Sequence, residues 1–440
     1  MLSVKRMAMS AAVMVVMAGS VCARQPGTVT KPLSPEAQEI AKKVQEKQKS
    51  VAAETAEIEM RARAEGMIEK AEKFLRSKQD KETGGWAVSK ADKEGKSPPQ
   101  MPAITALVVN AMLMDAKADP EKDQNILQGV KFLLNYQQED GGIYDKALPG
   151  YNTSLAVSAL SKVKMPMAKS AVEKGVAFLK TLQWTEQADP SKGGMEASKP
   201  VNREHPFYGG IGYGKHGRPD NSNLNMFMQA MQDAGVSPSD EAVKRALVFL
   251  GRTQMDERIN DQPYAKGSRQ GGFVYATVEN AESVEGRAGQ SMAGTMEETL
   301  SDGTKASRLR AYGSMTYAGF KTYIYAELPR NDQRVTAAYD WIRRNYSVSE
   351  NPGMGASGKY YYSVVFARAL KAWGEPTIKL LSEGNTPTGQ ERNWRADLVE
   401  ELGKLQNEDG SFKSVDKRWM EDNEVLITAY AVTALRQVLE

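Results

Sequence analysis

Cysteine is almost absent. Cys22 is the only one among 440 residues, and it lies in a stretch that reads as removable. A chain with one cysteine forms no internal disulfide. Once Cys22 is lost, no thiol remains for nucleophilic catalysis, a thiolate metal site or an internal thioester. Packing alone must then hold the fold. Histidine is nearly as scarce: His205 and His216 are the only two, both in one loop, so a catalytic zinc set lacks ligands. Basic blocks interleaved with aromatics are missing, and a formal net charge of +3 is close to neutral for this length. That excludes a nucleic-acid surface. No metal and no cofactor is expected.

Long hydrophobic runs are missing too, except at the start. Lys5 and Arg6 precede an apolar run over 7–19, and Val21-Cys22-Ala23 offers small residues for cleavage. The pattern predicts a signal peptide over 1–23 and export to the periplasm or the outside. An uncleaved anchor would need roughly 20 apolar residues, and lipid attachment at Cys22 would call for a smaller residue than Val21. Residues 24–66 read as a charged helical linker. Their helix, over 36–64, is rich in Ala, Glu, Lys and Gln, with Ile40, Val44, Val51 and Ile58 as a thin stripe at near-heptad spacing. Such a helix either lies solvated beside the domain or pairs with a partner.

From about residue 67 to 440 one phrase recurs: a small residue, an aromatic three places on, an aliphatic, a glutamine, then a glycine turn. The copies hold Ala71, Phe74, Leu75 and Gln79; Gly129, Phe132, Leu133 and Gln137; Gly175, Phe178, Leu179 and Gln183; and Ala246, Phe249, Leu250 and Gln254. A degenerate fifth has Ala338, Trp341 and Ile342, with Tyr346 in place of glutamine, and a sixth ends at Gln406. The turns are assigned to Gly84-Gly85, Gly141-Gly142, Gly193-Gly194, Gly271-Gly272 and Gly410.

The small and aromatic positions share one helical face, so the small one permits close approach. The glutamine is placed to bond backbone groups left open at the helix end. Each phrase is followed by a more apolar helix, over 103–114, 153–163, 224–234, 314–328, 361–373 and 425–439. Six amphipathic outer helices alternating with six apolar inner ones predict an all-α (α/α)6 toroid. Two insertions, 185–219 and 255–308, interrupt the rhythm. The second contains 279–307, rich in Glu, Ser, Gly and Thr, which reads as a binding loop, a lid or a mobile flap.

The phrase resembles the repeat of squalene–hopene and oxidosqualene cyclases and of the protein prenyltransferase β-subunits. It is most similar to secreted single-ring prenyltransferase or squalene oxidase repeat proteins. The resemblance implies a central cavity, with the inner-helix starts at one mouth. It also implies an Asp-x-Asp-Asp acid, which this chain replaces by Asp220-Asn221-Ser222-Asn223. Serine cannot protonate an alkene, which demands a strong desolvated acid. The starts that would supply prenyltransferase zinc ligands read Gly358-Lys359-Tyr360-Tyr361-Tyr362 and Glu421-Asp422-Asn423-Glu424, without Cys or His.

What remains is a polar-aromatic rim. Its candidates are Tyr151, Asn152, Tyr213, His216, Arg218, Asp220, Asn223, Tyr312, Thr316, Tyr317, Tyr360 and Tyr361. Asp220 equally fits a helix N-cap, and the tyrosines equally fit a filled core. The reading is an exported binding or scaffold protein for an apolar, isoprenoid-like, or a glycan ligand. The alternatives are a carbohydrate-active enzyme drawing on Glu204, His205, Tyr213, His216, Arg218 and Asp220, or a terpenoid-type enzyme with another acid such as Glu421, Asp422 or Glu424.

Overall fold

Aspartate and asparagine start the outer helices. Asp123, Asp240, Asp332 and Asn393 each accept hydrogen bonds from backbone N–H groups one or two positions into the helix that follows, satisfying donors that the helix leaves open. The computed structural model describes residues 34–90, 93, 95, 97–187, 200–214, 218–277 and 290–440. The leader read at 1–23, the turn read at Gly193-Gly194, His216 and part of the 279–307 insertion lie outside them.

The helices are α1 (Pro35–Ser77), α2 (Pro102–Leu113), α3 (Gln124–Asn135), α4 (Pro149–Leu160), α5 (Pro166–Thr181) and α6 (Asn221–Asp233). They continue with α7 (Glu241–Thr253), α8 (Gly313–Tyr325), α9 (Gln333–Arg344), α10 (Lys359–Trp373), α11 (Trp394–Leu405) and α12 (Glu424–Leu439). The described residues up to Glu57 and those from Ile58 onward fall into two separate units. In the first, α1 exposes its apolar stripe at Ile40, Val44 and Val51. In the second it becomes amphipathic, burying Met60, Ala64, Met67, Ala71, Phe74 and Leu75.

The even-numbered helices pack in the order α2, α4, α6, α8, α10, α12 and back to α2. That is a closed inner ring. Its members are buried around most of their circumference: α2 is enclosed from Pro102 through Met112, as its unbroken apolar sequence requires. Of the odd-numbered helices, α3, α5, α7 and α9 each lie against the inner helix that precedes them, and α11 lies against both α10 and α12. The chain is an all-α toroid.

The glutamines link the outer layer. Gln79 Nε2 donates to Gly84 O in its own turn and to Asn125 O at the start of α3, both at 2.8 Å. Gln183 does the same to Gly209 and Ala242 of α7, and Gln254 to Gly271 and Arg334 of α9. Gln137 reaches Ala171 of α5. Gln406 closes the circle on Met67 of α1 at 2.8 Å. In the degenerate copy, Tyr346 Oη donates to Asp397 of α11 at 2.6 Å, so the substitution keeps the clasp.

The third repeat corrects the turn assignment. Its turn is Gly209-Gly210, beyond the insertion, because Gly209 O receives the Gln183 amide. Gly209 has φ +82°, and a Cβ there would overlap the Arg245 carbonyl of α7. Glycine is needed both for the left-handed backbone and for the close approach.

Three antiparallel hairpins decorate the ring: β1 (Gln254–Asp256) with β2 (Arg269–Phe273), β3 (Thr295–Thr299) with β4 (Lys305–Leu309), and β5 (Thr377–Leu381) with β6 (Pro387–Asn393). The β3–β4 pair lies in the described part of the insertion read from sequence as a flap. Its register runs from Thr295 opposite Leu309 to Thr299 opposite Lys305. Glu298 anchors it by accepting from Ser268, Gln270 and the Arg269 amide. Among the described residues no helix is long and apolar enough to cross a membrane.

Candidate functional site

The N-terminal ends of the inner helices meet around a cavity of about 170 Å³. Tyr151 of α4, Ser222 and Met226 of α6, Ser314 and Met315 of α8, Tyr361 of α10, and Leu426 and Tyr430 of α12 line its wall. Met101, Ile104 and Leu148 contribute from α2 and the approach to α4, Tyr213, Tyr275 and Tyr312 from the loops, and Gly358, Trp419, Met420 and Glu421 from the rim. Trp419 and Met420 hold left-handed φ of 54° and 65° and stay half exposed. Strained backbone of this kind gathers at functional rims.

The tyrosines brace one another across the axis. Tyr151 Oη and Tyr430 Oη are 3.2 Å apart, and Asn225 Nδ2 donates to Tyr361 Oη at 3.0 Å. Tyr151 tilts against Tyr213, and Tyr361 stands edge-on to Tyr430. Burial lifts the hydroxyl pKa of Tyr151, Tyr213, Tyr275, Tyr312, Tyr361 and Tyr430 above the ordinary phenol value. The cage is therefore neutral and able to donate hydrogen bonds.

Two carboxyls lie close by, in different roles. Glu421 lines the cavity and is buried. It accepts from Tyr361 N at 2.9 Å and from Tyr360 N at 3.1 Å, capping α10 from another part of the chain. Burial pushes its pKa up to about 7, opposed by those backbone bonds. Asp220 sits behind the lining as the N-cap of α6. It accepts from Asn223 N at 2.9 Å and Asn223 Nδ2 at 2.8 Å. Burial raises it to about 6 against these bonds, the Arg218 charge and the Tyr275 hydroxyl.

The structure brings Tyr151, Tyr213, Tyr312 and Tyr361 together at the cavity, with Asp220 and Asn223 in support. Arg218 lies over the Tyr275 ring at 5.8 Å. Other sequence candidates lie elsewhere. Tyr317 is enclosed between Tyr362 and Phe366, and Tyr360 turns its hydroxyl to Lys413 O. Asn152 fixes Ala103 N and Leu148 O, and Thr316 holds the Phe273 amide. His205 stacks on Trp184, while Glu204, Asp422 and Glu424 are exposed. Tyr275 and Tyr430 were missed from sequence. Tyr430 sits six residues after the α12 start, and only its spacing from the rim marks it. No group of three or more His, Cys, Asp or Glu side chains among the described residues is arranged to hold a metal.

No family model matches the sequence, and no curated protein matches it. Solved structures do match in fold. A D-mannose isomerase superposes with a TM-score of 0.50 at 10% identity, covering 86% of this chain and 96% of that one. The GH76A α-1,6-mannanase from Salegentibacter sp. HEL1_6 gives 0.46 at 8%, covering 85% and 98%. The type II terpene cyclase MstE from Scytonema gives 0.45 at 12%, covering 86% and 98%. At these identities the likeness defines the class, the α/α toroids, and nothing narrower.

Proposed function

We propose that this protein binds a small, elongated apolar ligand, isoprenoid-like in chemistry, in the cavity at the N-terminal mouth of the ring. The lining carries the reading: six tyrosines, four methionines, three aliphatic side chains and one tryptophan against a single carboxyl, Glu421. Aromatic faces and thioethers accommodate apolar chains, and a few convergent hydroxyls orient a polar end. A glycosidase would need two carboxyls flanking the bond it cleaves. Among the described residues that line the cavity, Glu421 is the only one.

Two observations favour holding over transforming. Ser222 faces the cavity at the position where the cyclase-like repeat would carry its acid. Glu421, at about 7, is a weaker acid than an ordinary glutamate, the reverse of what alkene protonation demands. The kinship with cyclase and prenyltransferase repeats belongs to the same proposal. So do export through a leader over 1–23, a linker over 24–66, a scaffold role, and a partner for the helix over 36–64.

The test is a titration of the full chain with prenyl alcohols and, separately, with oligosaccharides, followed by tryptophan fluorescence and calorimetry. Prenyl alcohols should bind saturably. Trp419→Phe should remove most of the fluorescence change while heat is still released, and Met226→Trp, which fills the cavity, should abolish binding. Saccharide binding without prenyl binding would overturn the reading.

A further inference from the structure

Seven residues make almost two helical turns, so a residue seven places after a cavity-lining one shares its face about 10 Å farther along the helix. From Tyr151, Ser222, Ser314 and Tyr361 this spacing leads to Ser158, Gln229, Lys321 and Arg368, all buried. They form a polar layer across the ring, two turns below the tyrosine cage. Lys162, one further turn along from Ser158, donates to Ser158 O and lies just past the end of α4.

The charges in this layer do not balance. Lys321 is fully enclosed; its Nζ donates to Gln229 Oε1 at 2.8 Å and lies 5.0 Å from the Tyr325 ring. Arg368, 7% exposed, makes no hydrogen bond or ion pair with any described residue. Two carboxylates face the region, and one of them, Asp233, keeps its buried Oδ2 without a hydrogen bond. Asp233 lies 3.7 Å from Lys162 and accepts from Gln229, and Glu440 pairs with Lys371. Burial and then the Arg368 charge drive the Lys321 pKa well down. Burial also lowers Lys162, where Asp233 opposes the shift and Arg368 adds to it.

Lys162 sits just past the end of α4 on the opposite side of the ring from α10, so Arg368 acts across the axis. Helix dipoles account for cations in a last turn, as with Lys371. They do not account for Lys321 and Arg368, which lie farther inside their helices. Arginine does not shed its proton, and a largely buried guanidinium with no protein acceptor is left to water or to an anion. Ser158 Oγ, also buried, has no partner.

We propose that this layer is a binding site for a small oxyanion, a carboxylate or phosphate group, held by Arg368 and Lys321 with the Ser158 hydroxyl as a further donor. Planar guanidinium forks match both groups. The site is separate from the tyrosine cage and lies toward the C-terminal ends of the inner helices, near Lys162 and Lys371.

The test is thermal unfolding of the full chain in sodium phosphate and in sodium acetate, with ionic strength held constant by sodium chloride. The melting temperature should rise and saturate with one of the anions or both, and which one acts distinguishes a phosphate from a carboxylate source. Arg368→Gln should lose the rise. A melting temperature that follows ionic strength alone, or an undiminished rise in Arg368→Gln, overturns the site. Should that variant not fold, NMR of whichever anion raised the melting temperature, phosphorus for inorganic phosphate or carbon for acetate, decides with the wild-type chain. The line should broaden on binding, and Lys321→Met, which removes the buried charge and its hydrogen bond to Gln229, should abolish the broadening; no broadening, or broadening that survives in Lys321→Met, overturns the site.

Discussion

Glu421 is the residue whose chemistry can be read most directly. Its carboxyl is held at about 7 against an ordinary 4.5, so ionising it within the fold is unfavourable. The sign follows from linkage. Its contribution to stability is fully present below pH 4.5 and is lost as pH rises through 7. Glu421→Gln keeps an oxygen for the α10 amides and removes the charge. The variant should be more stable than the parent at pH 8, by on the order of 3 kcal/mol, and the two should converge near pH 4. Urea unfolding at both pH values checks this; a constant difference would show that Glu421 is not the titrating group. Asp220 titrates in the same direction over a lower window, from 3.8 to about 6.

Residues also mark how far the sequence could be read. Tyr361 was legible because it stands at an inner-helix start beside the cavity. Its neighbour Tyr360 is rotated by about 100° around the same helix and faces Lys413 instead. Tyr317 lies two residues after the cavity-lining Met315, about 200° around α8, and so points into the α8–α10 contact. Composition does not resolve such rotations; they need the helix start fixed to one residue. Glu421 was named as an acid, but its capping of α10 joins residues 60 apart, and no local pattern encodes that.

At the scale of elements, the outer helices are coupled pairwise by the glutamine and its glycine turn. Gln183 is buried. Its amide bonds two carbonyls, and its Oε1 accepts from Arg245 Nε at 2.9 Å. Gln183→Ala leaves these groups unpaired and should cost about 1–3 kcal/mol. The adjoining glycine is more demanding. Gly209→Ala brings both left-handed strain and overlap with Arg245 O, for a loss of about 3 kcal/mol or more. Gly251 lies within helix α7, with nothing nearer to an added Cβ than 3.8 Å. There the same substitution should stabilise by about 0.5–1 kcal/mol. Denaturant midpoints of the two alanine variants should move in opposite directions; a shared direction would separate the turn from the clasp. The repeat was legible because its small residue, aromatic, aliphatic and glutamine lie along one outer helix and its end. The carbonyls that the glutamine reaches lie far along the chain, as Ala242 does from Gln183. The third turn escaped only because an insertion parts Gln183 from Gly209.

For the whole molecule, closure sets how stability is shared. An open stack of repeats adds nearest-neighbour terms, so losing a terminal repeat costs about one repeat's worth. Here α12 packs against both α10 and α2, and Arg436 on α12 bonds Glu72 of α1 and Asp115 after α2, at 2.7 and 2.9 Å. Gln406, at the end of α11, reaches Met67 O of α1, and Arg61 of α1 reaches Leu439 O of α12, completing the seam. The chain therefore has no terminal repeat in the energetic sense. Removing residues 424–440 exposes the faces of α10 and α2 together and deletes Leu426 and Tyr430 from the cavity wall. The truncated chain should lose cooperative unfolding altogether, seen as a broad, shallow urea transition by circular dichroism. It should also lose prenyl alcohol binding. A sharp transition with only a modestly lowered midpoint would mean that the repeats are stabilised one by one, and that the ring is a shape without being the cooperative unit.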